Sequence, residues 1–213
     1  PVAGALWVYM ARIRTIKPEF WEDENIGLLT FGARLLFIAT FNLADDEGLL
    51  RWTPDYIKAS VFMYDTATPV KQVDIYMKEL STAGVIFPYI AGRSQQKLGW
   101  IVNFHRHQRI NRPQPSKLPP PSLQNLEVRK TYGRRDRMVC HLCNRVIDEA
   151  PARPDGLGGW IESLGLSMDH VNPQSHGGSD HHSNIRSAHQ SCNKGRRDRP
   201  IESFSEPSTV SHL

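Results

Sequence analysis

The sequence predicts an α+β chain made of two small units, and three observations carry that prediction. The stretch Asn111–Ser122 holds five prolines in nine residues, which removes backbone donors and fixes an extended spacer rather than a piece of core. Before it, helix-start signals alternate with short apolar runs of strand type. After it come two pairs of metal-ligand type, Cys140/Cys143 and His189/Cys192, each with two residues between its members. The expected organisation is an extended leader over 1–16, a folded unit over 17–110, the spacer over 111–125, a metal-stabilised unit over 126–200 and a frayed tail over 201–213.

The bulk properties narrow the field. A chain of 213 residues with 39% hydrophobic content suits one domain or two small ones. The formal charge is +4, and the isoelectric point near 9.1 makes a polyanionic partner plausible. All three cysteines fall in the two ligand pairs, which argues against a disulfide framework and for a reducing cytoplasm. No apolar run reaches the roughly 18–20 residues needed to cross a bilayer. The opening PVAGALWVYM is apolar but has no basic leading segment, so it makes a poor signal peptide.

The first unit is punctuated clearly. Thr30 caps a helix running to Leu43, with Ala33, Leu36, Phe37 and Thr40 on one face. Asp45-Asp46-Glu47-Gly48 turns the chain into a short strand, Leu49–Trp52. Thr53-Pro54 then starts a helix to about Phe62, and Thr68-Pro69 starts a longer one. Val70, Val73, Met77 and Leu80 form the apolar stripe of the latter, and Gly84 stops it. Val85–Ile90 and Trp100–Phe104 read as the arms of a hairpin, with Ala91–Gly99 as its tip. Helix, strand, two helices and hairpin is the order of a winged helix-turn-helix, whose third helix enters the DNA major groove while the wing touches the backbone. On that reading Lys71, Gln72, Asp74 and Lys78 face DNA, Arg93 and Lys97 sit in the wing, and His105, Arg106, His107 and Arg109 follow it. A winged helix that binds protein instead is the alternative. The segment Ala11–Phe20 (ARIRTIKPEF), with Trp21 and the helices up to Asn111, resembles the N-terminal domain of phage replisome-organiser and replication-initiator proteins. For the proline-rich stretch, a ligand for a partner domain is the alternative to a spacer.

The chemistry lies in the second unit. Cys140, Cys143, His189 and Cys192 have the composition of a tetrahedral zinc site, although 45 residues separate the pairs and CxxC alone has other fates, including redox motifs. Asp169, His170 and Asn193 offer a carboxylate, an imidazole and an amide oxygen, which are the groups that a hard cation and a general base require. Asp169 and His170 are adjacent, so a regular strand would point them to opposite faces; the strand must twist or end there. His189, Cys192 and Asn193 fall at i, i+3 and i+4, so one helical turn would carry two zinc ligands and one catalytic ligand.

Asp169-His170-Val171-x-Pro173, Gly177-Gly178, Asn184 and Cys192-Asn193-x-x-Arg196 resemble the HNH nuclease family, over roughly Met138–Arg199. The resemblance implies a ββα-metal fold in which Asp169 and Asn193 hold a catalytic Mg²⁺ or Mn²⁺. It makes His170 the general base and Asn184 the brace of the loop between the strands. Cys140, Cys143, His189 and Cys192 would hold a structural Zn²⁺, with His189 standing where the family often has a thiolate.

Two basic runs flank this module: Arg129, Lys130, Arg134, Arg135 and Arg137 before it, and Lys194, Arg196, Arg197 and Arg199 after it. Phosphate-backbone contact is their expected role. His141, His176, His181 and His182 read as solvated histidines, and Asn144–Ser167 as a looping insertion. The expected function is hydrolysis of double-stranded DNA by a phage or mobile-element endonuclease, working in a bacterial host beside replication or packaging proteins. The rivals are a non-catalytic replication-initiation or regulatory DNA-binding protein with a structural zinc module, and an RNA nuclease, which no base-reading aromatic cluster supports.

Overall fold

A computed structural model of the protein describes residues 12–147, 153–154, 160–161 and 165–201. The expected leader up to residue 11, most of the looping insertion and the tail beyond residue 201 lie outside the described residues. The fold is mixed α+β, and the chain divides into two compact units between Pro119 and Pro120.

The first unit starts with two one-turn helices, α1 (Glu19–Glu22) and α2 (Glu24–Gly27), separated by Asp23, whose carboxylate caps α2 through the amides of Asn25 and Ile26. Helix α3 (Phe31–Leu43) begins at Thr30, whose hydroxyl accepts from the Ala33 amide. Its buried face is Ala33, Leu36, Phe37, Thr40 and Phe41. The Asp45 carboxylate then accepts from the Glu47 and Leu49 amides, which folds the turn into β1 (Leu49–Arg51). Helix α4 (Pro54–Val61) has proline in its first turn. Helix α5 (Val70–Thr82) starts one residue later than Thr68-Pro69 implies. Pro69 itself is the cap residue, and the Thr68 hydroxyl donates to Asp65 instead. Val73, Met77 and Leu80 are buried as expected, whereas Val70 in the first turn is exposed.

Strands β2 (Ile86–Ala91) and β3 (Gln96–Ile101) form the hairpin, and β1 pairs with the other edge of β3, giving an antiparallel sheet of order β1-β3-β2. Strand β3 starts at Gln96 rather than Trp100, because Gln96 and Lys97 pair with Ala91 and Ile90 and shorten the tip. A short helix α6 (Phe104–His107), unread in the sequence, ends the sheet. Residues Phe20 through Phe104 of these elements share one apolar cluster that includes Leu36, Phe37, Trp52, Ile57, Leu80 and Ile101.

The segments on either side are tied to the Asp45-Asp46 turn rather than left as leader and spacer. Asp46 pairs with Arg12 and, at 2.7 Å, with Arg14, and it accepts from the Gln114 amide. Ser116 donates to Asp45, and the Tyr89 hydroxyl donates to the Pro119 carbonyl. The proline-rich stretch therefore follows the first unit as far as Pro119. Asp46 thus takes a backbone N–H of the stretch, at Gln114, and Asp45 takes the Ser116 hydroxyl.

The second unit opens with α7 (Leu126–Arg135), capped by the Asn125 side chain. A single bridge pairs Val139 with Val146 around the CxxC turn. Short strands β4 (Arg153–Pro154) and β5 (Trp160–Ile161) pair with each other. Strand β6 (Leu166–His170) pairs antiparallel with β7 (Ile185–His189), and α8 (Gln190–Arg196) follows directly. The β6–β7 connection carries two 3₁₀ turns, Gln174–His176 and His182–Asn184. No helix among the described residues is long and apolar enough to cross a membrane.

Candidate metal centre and active site

The four expected knot residues come together. The ligand atoms of Cys140, Cys143, His189 and Cys192 all lie within 4.8 Å of one another, close enough for one ion to take all four. His189 is the last residue of β7 and the cap of α8, so the strand end, not a full helical turn, presents it beside Cys192. Its Nδ1 stands 3.2 Å from Cys143 Sγ, while Nε2 lies 3.0 Å from the Val146 carbonyl. Donation from Nε2 to that carbonyl leaves the Nδ1 lone pair for a cation. Burial, reinforced by the nearby Cys140 sulfur, pushes the Cys192 thiol up to about 12, and burial also raises Cys143. A bound cation reverses this preference by stabilising the thiolates.

Next to the knot, β6 ends at His170. Asp169 points inward and is 3% exposed. Its carboxylate receives Arg196 Nη1 on both oxygens, at 2.7 and 2.6 Å, and His141 Nε2 on Oδ2 at 2.7 Å. His170 is half-buried and meets Asp180 Oδ1 through Nε2 at 2.6 Å. Gln174 Nε2 donates to the same Asp180 oxygen at 2.8 Å. Asn193 spends its amide hydrogens on Ser167 Oγ and the Met168 carbonyl, each at 2.9 Å. Asp169, His170, Asn193 and Arg197 line one open cleft of about 140 Å³ together with Met168, Pro173 and Gln174.

Asn184 sits where a brace must. Its Nδ2 donates to the carbonyls of Asn172 and Ser179, and its Oδ1 accepts from the Asn172 amide. The glycine pair completes this loop. Gly177 adopts φ 82°, and a side chain on Gly178 would place its Cβ 1.8 Å from the Asn172 carbonyl oxygen. Only glycine closes the loop over Asn184.

The basic residues divide. Arg129 and Lys130 are half-buried on α7, and Lys130 pairs with Glu127 at 3.1 Å. Arg134, Arg137, Lys194, Arg197 and Arg199 are exposed. Two expected phosphate contacts are corrected. Arg196 is 0% exposed and gives its guanidinium to Asp169 and to the carbonyls of His170, Val171 and Arg199. Arg135 holds Asp136 and the carbonyls of His182 and Ile185. Both guanidiniums are consumed by interior acceptors, which a charge run cannot reveal. A signal for Arg196 existed: it lies four residues after buried Cys192, on the same helical face.

Two histidines also differ from expectation. His182 is buried, with its Nδ1 2.5 Å from the Tyr132 hydroxyl, and His141 reaches Asp169. In the first unit Lys71 and Lys78 are exposed on α5 and Gln72 is half-buried, with Lys78 pairing Asp74 at 2.7 Å.

Residues 156–199 match the family model described as HNH endonuclease. The matched HNH segment contains Asp169, His170, Asn184, His189, Cys192, Asn193 and Arg196. Cys140, His141, Cys143 and α7 lie before it, so half of the metal cluster is supplied from outside the matched residues. No curated protein and no solved structure matches the chain. The HNH segment points to a nuclease-type function, and hence to a nucleic acid as substrate.

Proposed function

We propose that the second unit is a metal-dependent HNH endonuclease acting on double-stranded DNA, with Zn²⁺ in the Cys140/Cys143/His189/Cys192 cluster. The observation that carries this reading is the single cleft lined by Asp169, His170, Asn193 and Arg197. Asp169 Oδ1 and the Asn193 amide oxygen fit a hard divalent ion, Mg²⁺ or Mn²⁺. The Asn193 nitrogen is already committed to Ser167 and Met168, which leaves its oxygen as the available donor. When bound, that ion offsets negative charge on the phosphate and makes water easier to deprotonate.

The residues supply the rest. His170 donates Nε2–H to Asp180, so the neutral ring carries its lone pair on Nδ1, the atom that takes the proton from water. Asn184 keeps the 172–184 loop closed and so fixes where Asp180 meets His170. Exposed Arg197 meets phosphate at the cleft, and Lys194, Arg199, Arg134 and Arg137 extend the contact along the backbone. By family likeness the products carry 5′-phosphate and 3′-hydroxyl ends. A phage or mobile-element setting, in a bacterial cytoplasm beside replication or packaging proteins, suits the same reading.

We read the first unit as a winged helix-turn-helix that delivers the nuclease to DNA. Support comes from the order α3-β1-α4-α5-β2-β3 and the strand order β1-β3-β2. One observation favours a protein partner for α5 instead. Its exposed side carries Ile75 and a neutralised Lys78–Asp74 pair, beside Leu28 at 87% exposure.

The deciding experiment incubates supercoiled plasmid with the full chain and Mg²⁺ or Mn²⁺, beside His170→Ala. Nicking by the wild type and a loss of about 10²–10⁴-fold in the variant are expected. Intact plasmid, or equal cutting by the variant, rules the reading out. Retained duplex affinity after Lys71→Glu and Lys78→Glu together would remove α5 from the DNA interface.

A further inference from the structure

His141 sits between two cluster cysteines, yet its side chain turns away from them. Its Nε2 lies 2.7 Å from Asp169 Oδ2, while its backbone amide donates to the Ser187 carbonyl at 3.0 Å. The turn that carries it is closed by Asn144 donating to the Cys140 carbonyl at 2.8 Å, and Cys140 Sγ accepts from the His189 amide at 3.3 Å. His141 is thus held on both sides by residues that one metal ion would lock.

Besides His141, the Asp169 carboxylate is held by Arg196. With 3% exposure it has little access to water, and Arg196 Nη1 contacts both oxygens from one side. A single nitrogen bridging two oxygens neutralises the carboxylate but does not by itself fix rotation of its plane. The His141 N–H on Oδ2 does, and it makes Oδ1, which accepts from Arg196 Nη1 at 2.7 Å, the oxygen with a lone pair left for a cation shared with Asn193.

We propose that His141 is a positioning residue that couples the Cys/His metal knot to the cleft, holding Asp169 in the plane in which Oδ1 can ligate a divalent ion. The inference rests on the reading of Asp169 and Asn193 as a cation site. It assigns no bond-making step to His141. Loss of the knot metal then acts on the cleft through one hydrogen bond, in addition to any loss of fold.

The test uses the full zinc-loaded chain without DNA. Mn²⁺ is titrated in while the electron paramagnetic resonance signal of the free ion is followed, since thiolate sites discriminate against Mn²⁺. Bound zinc and plasmid cleavage are measured on the same samples. Partners that orient ligating groups typically contribute 10–100-fold in metal affinity. His141→Ala is therefore expected to keep its zinc and bind Mn²⁺ about 10–100-fold more weakly. His141→Gln, which can place an N–H near the same point, is expected to return to within a few-fold of wild type. Unchanged Mn²⁺ affinity in His141→Ala overturns the coupling, as does a glutamine variant no better than alanine. Loss of zinc from His141→Ala also overturns it, because the residue would then serve the knot alone. Wild-type protein that binds no Mn²⁺ refutes both this inference and the nuclease reading. Mn²⁺ binding that depends on His141, with plasmid left intact, supports the coupling and refutes the nuclease reading alone.

Discussion

The two units reach a folded state by different means. The first is held by apolar burial: Leu36, Phe37, Ile57, Leu80 and Ile101 belong to one cluster in which nearly every element takes part. Among its described residues the second has a small apolar cluster of Cys140, Ile147, Ala188 and Cys192, two of which are also metal-ligand candidates, with Val128, Tyr132 and Ile185 buried as well. Around it the interior holds Asp169, His182, Ser187, His189 and Arg196. Apolar burial tolerates substitution, whereas buried polar groups are stable only as a fully partnered set. Damage should therefore spread locally in the first unit and collectively in the second.

Metal removal gives the largest expected contrast. Structural zinc sites contribute roughly 10–16 kcal/mol of apparent binding free energy in small domains. Chelation, or Cys140→Ser, is expected to unfold the second unit while leaving the first intact. Amide exchange resolved by segment checks this: protection should vanish over residues 126–135 and 190–196 and persist over 31–43 and 70–82. Uniform protection after chelation would erase the distinction between the units.

Single interior substitutions come next. Arg196→Ala leaves Asp169 buried without its counter-charge, an effect of about 3–5 kcal/mol. Leu36→Ala creates a cavity in the first unit worth about 2–5 kcal/mol. Denaturant midpoints measure both. The sharper readout is Mn²⁺ affinity, which Arg196→Ala should change, because it removes a cation from the proposed ligand carboxylate, and Leu36→Ala should leave alone.

The same difference explains what could be read in advance. Helix α3 was legible from Thr30 to Leu43 because burial imposes a 3.6-residue period on the sequence. Its neighbours α1, α2 and α6 were not, since four residues carry no period. In the second unit, motif spacing identified the residues that meet at the knot and the cleft, and the strand end at His170. Their partners stayed hidden. His141 is 28 positions from Asp169 and Tyr132 is 50 from His182, and nothing local distinguishes either from a surface residue. Asp180 was equally unmarked, as one carboxylate in a polar loop. The basic runs misled for the same reason: charge shows in sequence, but the acceptors that consume Arg135 and Arg196 are tertiary.

Asp180 offers a smaller test. Its side chain is 50% exposed, so solvent screens the pair with His170. Asp180→Ala is expected to lower kcat by about 10-fold with KM nearly unchanged, a modest share of the usual general-base contribution. Asp180→Asn, which keeps an acceptor for Nε2–H, should recover most of it. An unchanged kcat in the alanine variant would remove Asp180 from the site.

The smallest expected effect is a pH slope at Asp136. Burial opposes its ionisation, but Arg135 and the Ser187 hydrogen bonds outweigh burial and hold the carboxyl below its ordinary value. A carboxyl lowered in the folded state stabilises the fold above its unfolded pKa of about 3.9, and the contribution disappears as pH falls through the lower folded value. Asp136→Asn should therefore cost about 1 kcal/mol at neutral pH, and the gap to wild type should close below pH 4. Urea midpoints from pH 7 to pH 3 measure that gap. A gap that stays constant across the range would mean that Asp136 acts through shape rather than charge. The second unit would then depend less on paired charge than its half-buried Asp136–Arg135 and buried Asp169–Arg196 pairs imply.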